Sequence, residues 1–172
     1  IKALKKINKP LKYVISTHHH NEHFSLLQEA VSLGAKIITV KQHQAAIESG
    51  FSEGAPKNAF SLVNEYASYG EGAVEIYDIA TMHADNYLLV YLPNEQLIFA
   101  EDHFETQLKT ATPRVHKDMV VFKDAVTALK LDIKLLLDGH TSRQLSMEEF
   151  NAATNAFEEK VCPKGFKICG NG

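Results

Sequence analysis

Residues 17–23 read Thr17-His18-His19-His20-Asn21-Glu22-His23, so four imidazoles and one carboxylate fall within seven residues. The segment directly follows the apolar run Tyr13-Val14-Ile15, which predicts a buried β-strand. A strand that ends in this way brings several nitrogen ligands to one edge of a sheet, where they can bind one or two metal ions. Neutral imidazole and carboxylate are ligands of zinc, and catalytic zinc sites leave one coordination position for water. The segment therefore predicts a metal centre at the end of the first strand.

A histidine-rich tract can also be a surface metal scavenger or a purification tag. A tag is disfavoured, because the three consecutive histidines lie between a strand-like run and a helix-like run inside the chain. A scavenger needs no ligands elsewhere, whereas an enzyme site does, because neighbouring histidines cannot complete a tetrahedral shell. Further ligand types do follow predicted strands, namely His83 after 74–79, Asp102 after 97–100 and His140 after 133–137. This placement favours an enzyme site at one rim of a sheet.

Strand-like and helix-like segments alternate along the chain, which predicts an α/β or mixed α+β fold. Strands are predicted at 12–16, 36–40, 74–79, 87–92, 97–100 and 133–137, and helices at 24–33, 41–48, 118–129 and from Ser146 onward. Residues 51–63 contain Gly54 and Pro56 and are predicted to form a loop. Ser146 and Glu149 have the spacing of a capping box, which predicts the start of the last helix.

Composition predicts one soluble globular domain over residues 1–172. Apolar residues make up 45% of the chain and charged residues 23%, which are ordinary values for such a domain. The net charge of −3 disfavours a nucleic-acid-binding surface, which usually has a basic face. No apolar run approaches about 18 residues, so no membrane span is expected. We therefore expect a small-molecule substrate, with neither nucleic acid nor membrane as a partner.

The two cysteines, Cys162 and Cys169, flank a Pro163-Lys164-Gly165 turn that could bring the two sulfurs within bridging range. A disulfide would favour an oxidising compartment, such as a periplasm or the exterior of the cell. Two ordinary thiols of a cytosolic protein are nearly as compatible with this spacing. The cysteines therefore favour a periplasmic or secreted protein only weakly.

The segment at 17–23 resembles the His-x-His-x-Asp-His signature of the metallo-β-lactamase superfamily. Its three consecutive histidines are similar to those of the hydroxyacylglutathione hydrolases (glyoxalase II). His83, Asp102 and Gly139-His140 resemble the remaining metal-ligand motifs of that superfamily, in the same order. The resemblance extends from about Leu11 to the last helix, and it implies a metallo-β-lactamase-like αββα sandwich.

The resemblance also implies the ligands of two zinc ions. The first ion would be bound by His18, His20 and His83, the second by Glu22, His23 and His140, and Asp102 would bridge the two. Glu22 takes the position of an aspartate, and Glu22 and Asp102 are the candidate catalytic residues. His19 is not a ligand in this pattern, and the pattern assigns no role to His43, His103 or His116.

The implied function is a zinc-dependent hydrolase that uses a metal-bound hydroxide on an ester, thioester, lactone or related substrate. One or two zinc ions, or another divalent metal, would be its cofactor. The alternative is a non-catalytic or degenerate metal-binding domain with the same fold. Glu22 supports this alternative, because it is one methylene longer than aspartate and metal sites tolerate only about 0.2 Å in ligand distance.

Only residues 1–11 precede the first motif strand, whereas members of the superfamily normally have several strands there. The chain is therefore expected to correspond to the C-terminal portion of the full fold, lacking part of its N-terminal half. A sheet that lacks strands has an open edge, and such an edge favours pairing with a second chain. We accordingly expect a homodimer formed through this edge.

Overall fold

The computed structural model describes residues 6, 8–20, 24, 26–104, 113–139 and 143–159. The strands within these residues are β1 (Tyr13–Ile15), β2 (Lys36–Val40), β3 (Phe60–Val63), β4 (Tyr66–Tyr69), β5 (Val74–Ile79), β6 (Tyr87–Leu92), β7 (Leu97–Phe99), β8 (Leu135–Leu137) and β9 (Leu145–Ser146). The helices are α1 (Leu27–Ser32), α2 (Lys41–Ser49), α3 (Lys117–Ala128) and α4 (Met147–Asn155). The elements confirm the predicted mixed α/β class. No helix of these residues is long and apolar enough to span a bilayer.

The chain divides into two compact units whose segments interleave along the sequence. The first unit comprises Ile1–Ala67, Ile76–Ile79 and Asn86–Leu88, and the second comprises Ser68–Glu75, Ala80–Asp85 and Leu89–Gly172, as far as these ranges are described. The histidines that follow β1 belong to the first unit. His83 and Asp102 belong to the second.

The first unit contains a three-stranded parallel sheet in the order β1-β2-β3. Its central strand reads Lys-Ile-Ile-Thr-Val and is buried at every position after Lys36, as expected for a parallel strand that is covered on both faces. Helices α1 and α2 both pack against β2. Their contacts form an apolar core around Leu27, Ile37 and Ile47. This core fixes the end of β1, where the chain continues into the histidine segment.

The other sheet has six strands in the order β4-β5-β6-β7-β8-β9. Strands β6 and β7 are antiparallel, and β7 and β8 are parallel, with Ile98 aligned to Leu136. Because parallel strands end at the same edge of a sheet, the turns that follow β7 and β8 are neighbours. These turns carry Asp102 and Asp138. Helices α3 and α4 pack together in the second unit, with the rings of Phe122 and Phe150 6.2 Å apart.

The prediction of a loop over residues 51–63 was wrong at its end, where Phe60–Val63 forms β3. The glycine and proline mark a turn region that ends before Ala59. The four residues that follow make a strand because β2 offers them a parallel partner, with Ile38 aligned to Ser61. A run this short carries little signal of its own, since most of its stability comes from pairing. The short strands β4 and β9 were missed for the same reason.

The start of the last helix confirms the predicted capping box. The Ser146 hydroxyl accepts a hydrogen bond from the Glu149 N–H at 3.1 Å, and the Glu149 carboxylate accepts one from the Ser146 N–H at 3.0 Å. Arg143 Nη2 donates to Glu149 Oε1 at 2.9 Å. The hydrogen bond from Arg143, followed by that from Ser146, lowers the pKa of Glu149 from 4.5 to about 2.

Candidate metal centre

Four side chains among the described residues make up a group that could hold a metal ion: His18, His20, His83 and Asp102. Each follows a strand of the fold and offers one ligand atom. They are four of the seven residues that the sequence predicts to be metal ligands. The other three, Glu22, His23 and His140, lie outside the described residues, as do Cys162 and Cys169.

His18 is completely buried at the end of β1 and is held by its neighbours in the first unit. Its Nδ1 lies 3.0 Å from Thr17 Oγ1. Its ring stacks on Tyr87 with the centroids 5.7 Å apart. The Thr17 carbonyl in turn accepts a hydrogen bond from the Leu88 N–H at 2.8 Å, which ties the segment to β6. In the tautomer that carries its proton on Nδ1, His18 donates to Thr17 and keeps its lone pair on Nε2.

The rings of the three consecutive histidines are close to one another. The centroid of His20 lies 4.5 Å from that of His18 and 5.1 Å from that of His19. His19 is exposed, and its ring lies 5.2 Å from the ring of His43 on α2. His19 is not in the metal-ligating group.

His83 lies in a turn that Thr81 organises through its hydroxyl. Thr81 Oγ1 accepts hydrogen bonds from the backbone N–H groups of His83, at 3.2 Å, and Ala84, at 3.1 Å. The same hydroxyl donates to the Ala84 carbonyl at 3.2 Å. Thr81 is itself buried, so its hydrogen bonds fix the backbone that presents His83 at the end of β5.

Asp102 lies in the turn after β7 and contacts His83 within the second unit. Its Oδ2 is 3.4 Å from His83 Nε2. The backbone of Asp102 has φ of +52°, a left-handed conformation that few residues other than glycine, asparagine and aspartate adopt. The turn is anchored on both sides, because Ala100 N–H donates to the Leu137 carbonyl and His103 N–H donates to the Ala100 carbonyl.

His103 is completely buried beside these two ligands. Its ring stacks on Phe122 of α3 at 4.2 Å with an interplanar angle of 11°. Burial, and then the positive charge of a protonated His83, lower the pKa of His103 to about 3, although Asp102 acts in the opposite direction. His103 is therefore neutral at physiological pH. The sequence placed it next to the site without a role, and its packing against α3 could not be predicted from its position.

Asp138 connects the turn after β8 to the turn after β7. It is buried, and its Oδ2 accepts a hydrogen bond from the Phe104 N–H at 3.1 Å. Next to it, a Cβ atom on Gly139 would lie 2.7 Å from Cδ of Glu101, so the Glu101 carboxylate takes the space that any larger residue would need. In the structure, Asp138 supports the backbone of the turn, and Asp85 is exposed.

The donor set fits a divalent transition metal. Three imidazoles and one carboxylate are the ligand types that zinc takes in catalytic sites. Thr17 contacts the imidazole of His18, which is the support that metal-ligating histidines commonly have, and Thr81 fixes the backbone of His83. The neutral, buried His103 adds no charge that would compete with a cation.

The fold is that of the metallo-β-lactamases. The structure of DIM-1 metallo-β-lactamase matches 90% of this chain and 72% of its own length, with a TM-score of 0.67 and 11% identity. FIM-1 from Pseudomonas aeruginosa, in a mono-zinc form, matches 90% of this chain and 70% of its own, with a TM-score of 0.67 and 15% identity. A flavodiiron protein from Giardia intestinalis matches 90% of this chain but 44% of its own, with a TM-score of 0.60 and 19% identity.

No protein-family model matches the sequence. At 11–19% identity, the likeness to these structures shows the shared fold. Among the described residues, this fold carries the His-His-His-Asp group.

Proposed function

We propose that this protein is a zinc-dependent hydrolase that acts on an ester, thioester, lactone or related carbonyl substrate. One observation carries the proposal: His18, His20, His83 and Asp102, each at the end of a strand, form a zinc-type donor group in a fold shared with metallo-β-lactamases. In this proposal His18, His20 and His83 would hold one ion, Glu22, His23 and His140 would hold a second, and Asp102 would also be a ligand.

The roles of the chain's own residues follow from their contacts. Bound zinc lowers the pKa of a water molecule to near neutrality and polarises the carbonyl of the substrate. Thr17 Oγ1 holds the ring of His18 through its 3.0 Å contact with Nδ1. Asp102 is 3.4 Å from His83 Nε2, and its carboxylate and that of Glu22 are the groups able to accept a proton from the attacking water. His103 is buried, lies 5.7 Å from the ring of His83 and stacks on Phe122, so it adds no positive charge beside Asp102.

Metal content and turnover test the proposal together. The purified chain should contain one to two equivalents of zinc and should hydrolyse at least one member of a panel of ester, thioester, lactone and β-lactam substrates. His20→Ala should remove bound zinc and abolish turnover, because it deletes a ligand. His116→Ala is the matched control, since His116 lies at the start of α3 and outside the donor group.

The outcomes separate the proposal from its alternative. Bound zinc without turnover on any substrate would favour a degenerate metal-binding domain. Hydrolysis that persists unchanged in His20→Ala would contradict a metal-dependent mechanism.

A further inference from the structure

Four imidazoles form a row in the first unit, in the order His18, His20, His19 and His43, and the proposed function uses only the first two. The ring centroids are spaced 4.5 Å from His18 to His20, 5.1 Å from His20 to His19, and 5.2 Å from His19 to His43. His43 comes from α2, more than twenty residues away in the sequence. The remaining pair, His19 and His43, therefore joins the segment after β1 to α2, and neither residue has an assigned role.

The spacing between the rings of His19 and His43 suits two ligands of one ion. Imidazoles that bind the same zinc through bonds of about 2.0–2.1 Å, at a roughly tetrahedral angle, have their ring centroids roughly 5 Å apart. The rings of His19 and His43 are 5.2 Å apart with an interplanar angle of 43°. They are neither parallel nor perpendicular, so ring stacking is not what sets their arrangement.

His43 is a buried polar residue on α2. It is only 5% exposed, and its Nδ1 is buried with no hydrogen-bond partner among the described residues. Burial, and then the charge of a protonated His19, lower its pKa to about 4. A neutral imidazole has a lone pair available for a metal, and His19, which is exposed, gives an ion access from solvent.

We propose that His19 and His43 form an accessory site for a divalent transition metal such as Zn²⁺ or Cu²⁺, separate from the predicted metal centre. Imidazole is a preferred ligand of both ions. Water molecules would complete the coordination shell, so the site is expected to be weaker than a centre with three or four protein ligands. The site needs none of His18, His83 or Asp102, and it therefore stands whether or not the chain is a hydrolase.

Equilibrium dialysis against Zn²⁺ tests the site. We expect the wild-type protein to bind one more zinc ion than His19→Ala or His43→Gln, with lower affinity than the predicted centre. If a variant still binds this ion, its affinity should be at least about tenfold lower than that of the wild type. The double variant should show no further loss, because either substitution alone breaks the pair. His116→Ala should bind zinc as the wild type does. His18→Ala should lose zinc from the predicted centre but retain the equivalent that depends on His19.

Two outcomes would overturn the inference. One is a His19→Ala variant that binds zinc with the number and affinity of the wild type. The other is a His19→Ala variant that loses the same zinc as His18→Ala, because His19 would then act only on the predicted centre. Since His43 is buried, His43→Gln could fail to fold, whereas His19 is exposed and its substitution decides the question. The His18→Ala titration keeps this test separate from that of the proposed function.

Discussion

The hydroxyl of Thr17 is a hydrogen-bond partner of His18 Nδ1 and helps to orient this candidate ligand. The imidazole has two nitrogens, and the hydrogen bond at one of them determines which tautomer is present and which nitrogen carries the lone pair. Because His18 is fully buried and stacked on Tyr87, its ring has little freedom to choose another partner. Thr17 is therefore the residue to change if the orientation of the ligand matters.

Thr17→Val should weaken zinc binding by about 10–100-fold, because it removes the partner of Nδ1 and keeps the shape of the side chain. Thr17→Ser retains the hydroxyl and should bind within a few-fold of the wild type. Zinc affinity, measured by competition with a chromogenic chelator, checks both variants. Equal affinities for the valine and serine variants would show that the hydroxyl does not orient His18.

Asp138 is a second residue whose effect reaches the site indirectly. Asp138→Ala should destabilise the fold by about 1–3 kcal/mol, because the Phe104 N–H loses its acceptor. It should also weaken zinc binding, since the turn that carries Asp102 loses an anchor. Asp138→Asn keeps an acceptor oxygen and should restore most of both losses. Urea unfolding and zinc titration measure the two effects; an alanine variant as stable as the wild type would contradict this role.

The sequence predicts the candidate metal ligands better than it predicts the residues that hold them in place. His18, His83 and Asp102 can be found because each follows a strand-like run, and the end of a strand is a position that a pattern reveals. The hydroxyls of Thr17 and Thr81 act through side-chain rotamers and local turns. Such contacts depend on how the chain folds back, as Thr17 does with Leu88, and no spacing in the sequence encodes them.

Among the elements, α4 has the start that the sequence predicts most completely. Ser146 and Glu149 exchange hydrogen bonds as a capping box requires, and Arg143 holds the carboxylate from outside the helix. The same rules could not find β3, because its residues become a strand only through pairing with β2. Local hydrogen bonds at a helix start can thus be predicted from the sequence, whereas pairing between distant strands cannot.

The capping box predicts a pH dependence of stability. The pKa of Glu149 is lowered from 4.5 to about 2, first by Arg143 and then by Ser146. A carboxyl whose pKa is lower in the folded state stabilises the protein above the unfolded pKa and loses this effect as pH falls through the folded one. The melting temperature of the wild type should therefore exceed that of Glu149→Gln at pH 6, and the difference should shrink between pH 4.5 and 2.

Glu148→Gln is the control for this experiment. It removes a charge from the same helical turn and keeps the contacts of Glu149 with Ser146 and Arg143. Its melting temperature should differ little from that of the wild type over the same range. A Glu149→Gln difference that does not change with pH would show that the carboxylate acts by packing and not by charge.

At the scale of the whole molecule, bound metal should stabilise the folded chain, because the ligands come from segments far apart in the sequence. Zinc at about 100 times its dissociation constant would add about 2.7 kcal/mol, which corresponds to roughly 5–10 °C in Tm for a protein of this size. Removal of zinc with a chelator should reverse the shift, as measured by calorimetry. His83→Ala should show no shift at that concentration, and an equal shift in this variant would place the stabilising metal elsewhere.

At Asp102, the left-handed backbone (φ +52°) favours a glycine, whereas the proposed metal centre needs a carboxylate. Glycine adopts this conformation without steric cost, so Asp102→Gly would relax the turn while deleting the carboxylate. A laboratory selection for thermal stability that is run in a chelator, where bound metal adds nothing to stability, would accept this replacement and would not detect the loss of the metal site. If the proposed function holds, engineering of this chain for stability has to include a metal-binding assay in each round, because a more stable variant can lack the metal site.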